Sequence, residues 1–208
     1  NNRRLIKDVW INNVLAIQRG KKYPNRYVIM SGDIQFLPNK NVRVYGVFFM
    51  DEWAPTYTFK EDNNNWFGWQ TGFEWKDAIL PKSRLRMEYT WTDHRVYRHR
   101  FPINDSYSYN YSLGFWAGPH AEESYFSYNF PLKGMEIRSF ISRVKRGELT
   151  DQMLDDQYKD IVNKRDSGYT EERTVASLIC KKGFVDNKVF LRVGCEWIDW
   201  QNPGFDPY

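Results

Sequence analysis

Three groups of residues in this chain have types and spacings that could do chemistry. Asp51-Glu52-Trp53 sets two carboxylates beside an indole, an arrangement that can hydrogen-bond sugar hydroxyls while a pyranose face stacks on the ring. The plainer reading is a strand-end Trp flanked by solvated carboxylates. Asp93-His94, His99 and His120 carry metal-ligand types, but a metal needs three or four donors converging at fixed geometry, and this spacing does not force convergence. No metal and no cofactor is expected. Glu88 with Glu122 or Glu123 has the residue types of a glycosidase carboxylate pair. Charged strand faces account for them more simply, so the chain is read as a non-enzyme. It contains no Gly-rich phosphate loop, nucleophile elbow or Cys–His arrangement.

The elements that must position these groups are strands, because hydrophobicity repeats every second residue. In 84–92, Leu85, Met87, Tyr89 and Trp91 oppose Arg84, Arg86, Glu88, Thr90 and Thr92. In 66–75, Phe67, Trp69, Phe73 and Trp75 oppose Gly68, Gln70, Gly72 and Glu74. The clearest alternation is in 106–116, with Tyr107, Tyr109, Tyr111, Leu113 and Phe115 on one side. Segments 188–197 and 42–51 alternate too, the first setting Val189, Leu191, Val193, Cys195 and Trp197 against Arg192, Gly194 and Glu196. Weaker strands are expected over 5–11, 27–37, 125–130, 135–143 and 174–180. Hairpin turns are expected at 38–41, 80–83, 118–121 and 131–134, from their Pro, Gly and Asn content. Long connections are expected at 52–65 and 93–105. A helix is expected over 149–165, where Met153, Leu154, Tyr158, Ile161 and Val162 fall at helical spacing and Thr150 can cap.

Composition agrees with a sheet of unusual kind. The chain has 208 residues, 27% charged and 18% aromatic, with 9 Trp, 14 Tyr and 14 Phe, a loading suited to half-buried strands and interfacial girdles. Its mean hydropathy of -0.72 does not exclude a membrane, since a strand that is wet on alternate residues keeps the average low. No run reaches the roughly 18 apolar residues of a spanning helix. The net charge of +4 is small and interleaved in sign, so no nucleic-acid partner is expected. Cys180 and Cys195 fall on two arms of a hairpin expected to close at 182–186, a register that sets Cys180 opposite about position 189 and disfavours a bridge. The chain begins Asn1-Asn2-Arg3-Arg4 without a signal peptide, as a mature product or a piece of a longer protein would.

The fold class expected is all-β: an antiparallel up-and-down transmembrane β-barrel, or part of one, with a short helix in a long loop. Segments of about 8 to 11 residues suit tilted transmembrane strands, whereas sandwich strands run nearer 5 or 6 residues. The dry faces carry Trp and Tyr toward strand ends, as aromatic girdles do. On the wet faces Arg84, Arg86, Glu88, Arg192 and Glu196 are expected to form a lumen charge network. Bacterial barrels have even strand numbers, and ten or eleven strands are expected here. The 208 residues therefore form one barrel region that either closes with ten strands or belongs to a larger barrel.

The wording of 44–53 (Val-Tyr-Gly-Val-Phe-Phe-Met-Asp-Glu-Trp), 85–90 (Leu-Arg-Met-Glu-Tyr-Thr), Tyr97-Arg98-His99, 111–123 (from Tyr111 through Gly118-Pro119-His120 to Glu123) and Arg146-Gly147-Glu148 resembles the C-terminal half of the Wzi-type capsule assembly family, particularly its Bacteroidetes-like members. The resemblance implies a barrel of about eighteen strands in the outer membrane of Gram-negative bacteria. It further implies a non-enzymatic, lectin-like role in attaching or assembling surface or capsular polysaccharide, with outer-membrane lipid, polysaccharide and other envelope proteins as partners. Candidate saccharide contacts are Asp51, Glu52, Trp53, Tyr97, His99 and Trp116. The alternatives are a porin-like channel or transporter and a secreted soluble β-sandwich lectin.

Overall fold

Alternating sequence makes a strand only where the backbone finds a ladder partner. The computed structural model describes residues 9–12, 17–18, 28–52, 66–97, 107–108, 111–112, 114–156, 168–185 and 188–206. In chain order the elements are β1 (Val9–Asn12), β2 (Ile17–Gln18), β3 (Val28–Asn39), β4 (Val42–Glu52), β5 (Trp66–Lys76), β6 (Arg84–Thr92), β7 (Tyr107–Ser108), β8 (Tyr111–Ser112), β9 (Ala121–Leu132), β10 (Met135–Gly147), α1 (Asp151–Asp156), β11 (Thr170–Phe184) and β12 (Val189–Gln201). The eight long strands form one antiparallel up-and-down sheet in the order β3-β4-β5-β6-β9-β10-β11-β12, and β1 and β2 both lie on the free edge of β3. Among the described residues β12 pairs only with β11, so the sheet is open.

Tight turns close one end. Residues 133–134 are a two-residue hairpin with Lys133 at φ 49° and Gly134 at φ 76°, the left-handed pair that a type I′ turn requires. At 40–41 the Asn39 side chain accepts the N–H groups of Asn41 and Val42 at 2.8 and 3.1 Å. Residues 77–83 and 185–188 complete this short-turn end. The last of these moves the cysteine hairpin from the expected 182–186: Cys180 faces Val193 and Cys195 faces Leu178, and both thiols are free. The opposite, long-loop end carries 53–65, 93–120 and 148–169.

Strand β6 has the expected bounds, and β4 and β5 exceed theirs by a residue. Segment 106–116 is not a spanning strand. Tyr107 pairs with Ser112 and Ser108 with Tyr111, so the chain reverses on itself in a separate two-stranded sheet, and residues 114–117 are bends and turns. The cause is topological: β6 pairs directly with β9, and no edge between them is left for a strand of good intrinsic propensity. For the same reason 118–121 is no hairpin turn between neighbours but the end of one long connection from β6 to β9. The described part of the helix is α1 alone; its first turn is capped by Thr150, whose hydroxyl accepts the Met153 N–H at 3.2 Å.

The cross-strand register sorts the side chains onto two faces. Phe36, Val44, Phe73, Met87, Phe126, Ile141 and Trp197 stand level on one face. Arg43, Glu74, Arg86, Ser127 and Ser177 share the other. Exposure runs opposite to polarity. Met87 is 49% and Trp197 58% exposed on the apolar face, whereas Glu74 is 3% and Asp51 1% exposed on the polar face. The sheet curves about its polar side, since one cavity gathers residues from β3 through β9.

The apolar stripe slants across the strands. It spans Val42 to Met50 on β4, Phe67 to Trp75 on β5 and Val189 to Trp197 on β12. Its border at the long-loop end is Phe67 on β5 but Phe126 on β9, which is level through Met87 with Phe73, six residues further along β5. Its other border is Leu85 on β6 but Phe184 on β11, six residues beyond Leu178, the residue level with Leu85. Both borders shift together, so the stripe keeps its height. Lys182 interrupts it near the short-turn border with its ammonium 5.4 Å from the Phe184 ring, as a snorkelling lysine does. Glu122, Arg143, Lys145 and Glu172 share this face but lie beyond the long-loop border, where Arg143 pairs with Glu172 at 2.7 Å.

Candidate functional site

The site is built on the polar face toward the long-loop end. Alternation along β4 brings Tyr45, Val47, Phe49 and Asp51 to it, and β5 adds Gly68, Gln70, Gly72 and Glu74. The two glycines make room: the Tyr45 ring lies over Gly72, where any Cβ would collide with it. That places the Tyr45 hydroxyl on Glu88, which also accepts from Arg86 at 2.6 Å. The Arg86 guanidinium sits 5.6 Å from the Tyr125 ring, and Tyr125 stacks on Phe140 at 6.0 Å. Gln70 donates to Thr90 at 3.0 Å.

Residues 93–97 and 114–120 of the connection between β6 and β9 fold back over this end. At its root Asp93 is buried against Arg95, with Nε to Oδ1 at 2.8 Å and Nη2 to Oδ2 at 2.9 Å. Burial opposes its charge, but the Arg95 hydrogen bonds and charge outweigh burial and hold the carboxyl below its usual range. Thr92 accepts from Ala121 N–H at 3.1 Å and donates to the Gly118 carbonyl at 2.9 Å, which pins the returning chain. Tyr97 takes a left-handed backbone, φ 71°, with its N–H on the Asp51 carboxylate at 2.8 Å. Its ring lies 5.5 Å from Phe49, and its hydroxyl accepts the Phe115 N–H at 3.1 Å. Phe115 meets Trp116 edge-on at 6.0 Å.

Together these groups line a cavity of about 690 Å³, with Trp116, Tyr97, Phe115 and Tyr125 among its aromatic members and Glu88, Arg86, Gln70, Thr90 and Glu123 among its polar ones. Trp116 is 59% exposed, and its indole N–H donates to Glu123 at 3.0 Å. The second Glu123 oxygen accepts from Ser142 at 2.6 Å. The indole is thereby oriented with a wet face, and the acceptors beside it suit a ligand rich in hydroxyl groups.

Comparison with known proteins adds no relative. No protein-family model, curated protein or solved structure matches this chain.

Of the residues expected to contact saccharide, the structure brings Tyr97 and Trp116 to one cavity and makes Asp51 the buried support of Tyr97 rather than an exposed acceptor. Glu52 closes β4, its side chain lying outside the described residues together with Trp53 and His99. Of the residues expected in a charge network, Arg84, Arg86 and Glu88 have ion-pair partners, one of them Glu74, which lay outside that expectation. Arg86 pairs with Glu88, and Arg84 reaches Glu74 at 2.6 Å. Arg192 and Glu196 share the polar face of β12 four residues apart, but both are exposed on an edge strand and form no ion pair with described residues. Glu122 accepts from Tyr89 at 2.8 Å on the opposite face, so only Glu123 shares a side with Glu88. His94 and His120 approach at 5.7 Å between ring centres, and the described residues hold no group of three or more metal-ligating side chains. Sequence reasoning missed Glu74, Tyr45 and Tyr125 as site residues and weighed Glu123 only as one of a carboxylate pair. Their faces were legible from alternation, but their partners depend on which strands are neighbours.

Proposed function

We propose that this chain forms part of the wall of an outer-membrane β-barrel whose polar cavity holds surface or capsular polysaccharide without catalysis, in the manner of a lectin. The observation that carries the membrane reading is the slanted apolar stripe. The long-loop border shifts by six residues, about 20 Å at about 3.3 Å each, between β5 and β9 and then runs level through Ile141 and Ala176 to Trp197 on β12. An apolar band of nearly constant height that moves along the strands from one side of the sheet to the other is what a hydrocarbon layer crossing tilted strands requires. A sandwich core needs no such offset, and its buried face is the apolar one. Here the apolar face is the exposed one.

Short turns at one end and long connections at the other match periplasmic turns and extracellular loops, and in this reading the aromatic cavity opens toward the cell surface. Trp116 over Glu123, with Tyr97 and Tyr125 near, offers the stacking surface and acceptors a pyranose needs. The resemblance of the 44–53 and 111–123 segments to the capsule assembly family points the same way. Outer-membrane lipid, polysaccharide and neighbouring envelope proteins are the partners of this reading.

The test is Trp116→Ala in the full chain. Titration with purified surface polysaccharide should quench tryptophan fluorescence in the wild type, and the variant should bind at least about tenfold more weakly. Equal binding by both would remove the cavity from the function. The charged polar face also favours a porin-like channel, which would give single-channel conductance steps that a plugged lectin barrel would not.

A further inference from the structure

The short-turn end of the polar face carries a second, separate cavity that the saccharide reading does not use. It measures about 190 Å³ and is lined by Lys40, Arg43, Lys76 and Arg84 around Glu74, with Leu37, Asn41 and Val42 as its remaining walls. Glu74 is almost fully buried, and its Oε2 accepts from Arg43 at 3.1 Å and from Arg84 at 2.6 Å. One carboxylate therefore fixes two guanidiniums at the rim and offsets one of four positive charges. Asp77, the nearest other acid in sequence, is committed to the turn, where its Oδ1 accepts the Lys82 N–H at 2.6 Å. Arg43 stacks over Tyr45 at 4.6 Å, and its buried Nε has no hydrogen-bond partner among the described residues. Both guanidiniums keep a wet side, at 37% and 52% side-chain exposure.

We propose that this cavity is an anion site that takes a phosphate or carboxylate group. Preoriented guanidiniums make charge-assisted, often bidentate bonds to such oxyanions, and the flanking ammonium groups add long-range attraction. Low-dielectric walls strengthen that attraction relative to an open surface. The volume holds one tetrahedral or planar oxyanion with water beside it. The anion is either a soluble solute entering this mouth or the headgroup of an anionic lipid at the membrane border.

The test uses the full chain in neutral detergent micelles, titrated with inorganic phosphate by calorimetry. The wild type should bind saturably, and added NaCl should weaken binding. Lys40→Gln with Lys76→Gln should weaken it at least about fivefold, losing two cations at the cavity. Lys133→Gln with Lys188→Gln removes the same charge from other turns of the same end and should change little. No saturable binding by the wild type, or equal weakening in both double variants, would overturn the site. A second arm compares the retention of wild type and Lys40→Gln/Lys76→Gln on phosphatidylglycerol and phosphatidylcholine vesicles. If the variant alone loses a phosphatidylglycerol preference, the anion is a lipid headgroup; if phosphate binding weakens while vesicle retention is unchanged, it is a soluble ligand. Both results support the site, and neither depends on polysaccharide binding.

Discussion

Asp51 and Tyr97 lie 46 residues apart and meet through a 2.8 Å hydrogen bond from the tyrosine backbone to the buried carboxylate. The bond ties the end of β4 to the connection after β6 and holds a non-glycine residue at φ 71°. Such a conformation costs on the order of 1–2 kcal/mol and persists only where its surroundings fix it. Asp51→Ala should therefore destabilise the fold by about 1–3 kcal/mol, the cost of leaving a buried N–H unmade. It should also speed proteolysis within 93–120. Denaturant midpoints and limited proteolysis measure the two effects, and an unchanged cleavage rate would show that the tie does not hold the connection.

Met87 sits mid-stripe on the apolar face at 49% exposure. In water a half-exposed Met tolerates a charge within about 0.5 kcal/mol. Facing hydrocarbon, Met87→Arg should cost about 2–4 kcal/mol. Folding yield and stability in lipid vesicles distinguish the outcomes, and a neutral substitution would reject the membrane reading.

Asp93 predicts the acid limb of stability. Its carboxyl is held below the usual range by Arg95, against the effect of burial. A group whose folded pKa is depressed stabilises above its unfolded pKa and loses that contribution as pH falls through the folded value. Protection of the 93–97 segment should thus be constant from neutral pH down to about pH 4 and decline below it. Asp93→Asn should flatten that decline while lowering protection at neutral pH, as hydrogen exchange across the pH series would read.

Gly72 leaves the space that the Tyr45 ring fills. Gly72→Ala should push the ring off and break its bond to Glu88, at a cost of about 1–3 kcal/mol typical of overpacking. Gly46→Ala, with only ordinary contacts around an added methyl group, should be far milder. Thermal unfolding of the two variants side by side checks the difference, and similar losses would show that Tyr45 relocates freely.

How much was legible in the sequence follows from what each residue depends on. Leu85, Met87, Tyr89 and Trp91 declare β6 because a strand's two faces are written in its own alternation. Tyr107 to Phe115 alternates as strongly, yet among the described residues only two-residue pieces pair there, because pairing is decided by which edges are free elsewhere. The site divides in the same way. Arg86 with Glu88 is local and was readable, whereas Glu74 joining Arg43 to Arg84 requires three strands in register. Tyr97 was singled out for its aromatic type, but its backbone, its tie to Asp51 and its place beside Trp116 come from a chain reversal that no local pattern encodes.

Strand direction has a final consequence. Counting from the edge shared by β1 and β2, the ladder ascends and descends in turn, and β12 ascends as that first edge does. Joining the two margins would set two ascending staves side by side, and so would apposing an equally oriented second copy. A cylinder of strictly alternating staves has even parity. This sheet can therefore enter one only through an odd number of further staves, beginning and ending with a descending one.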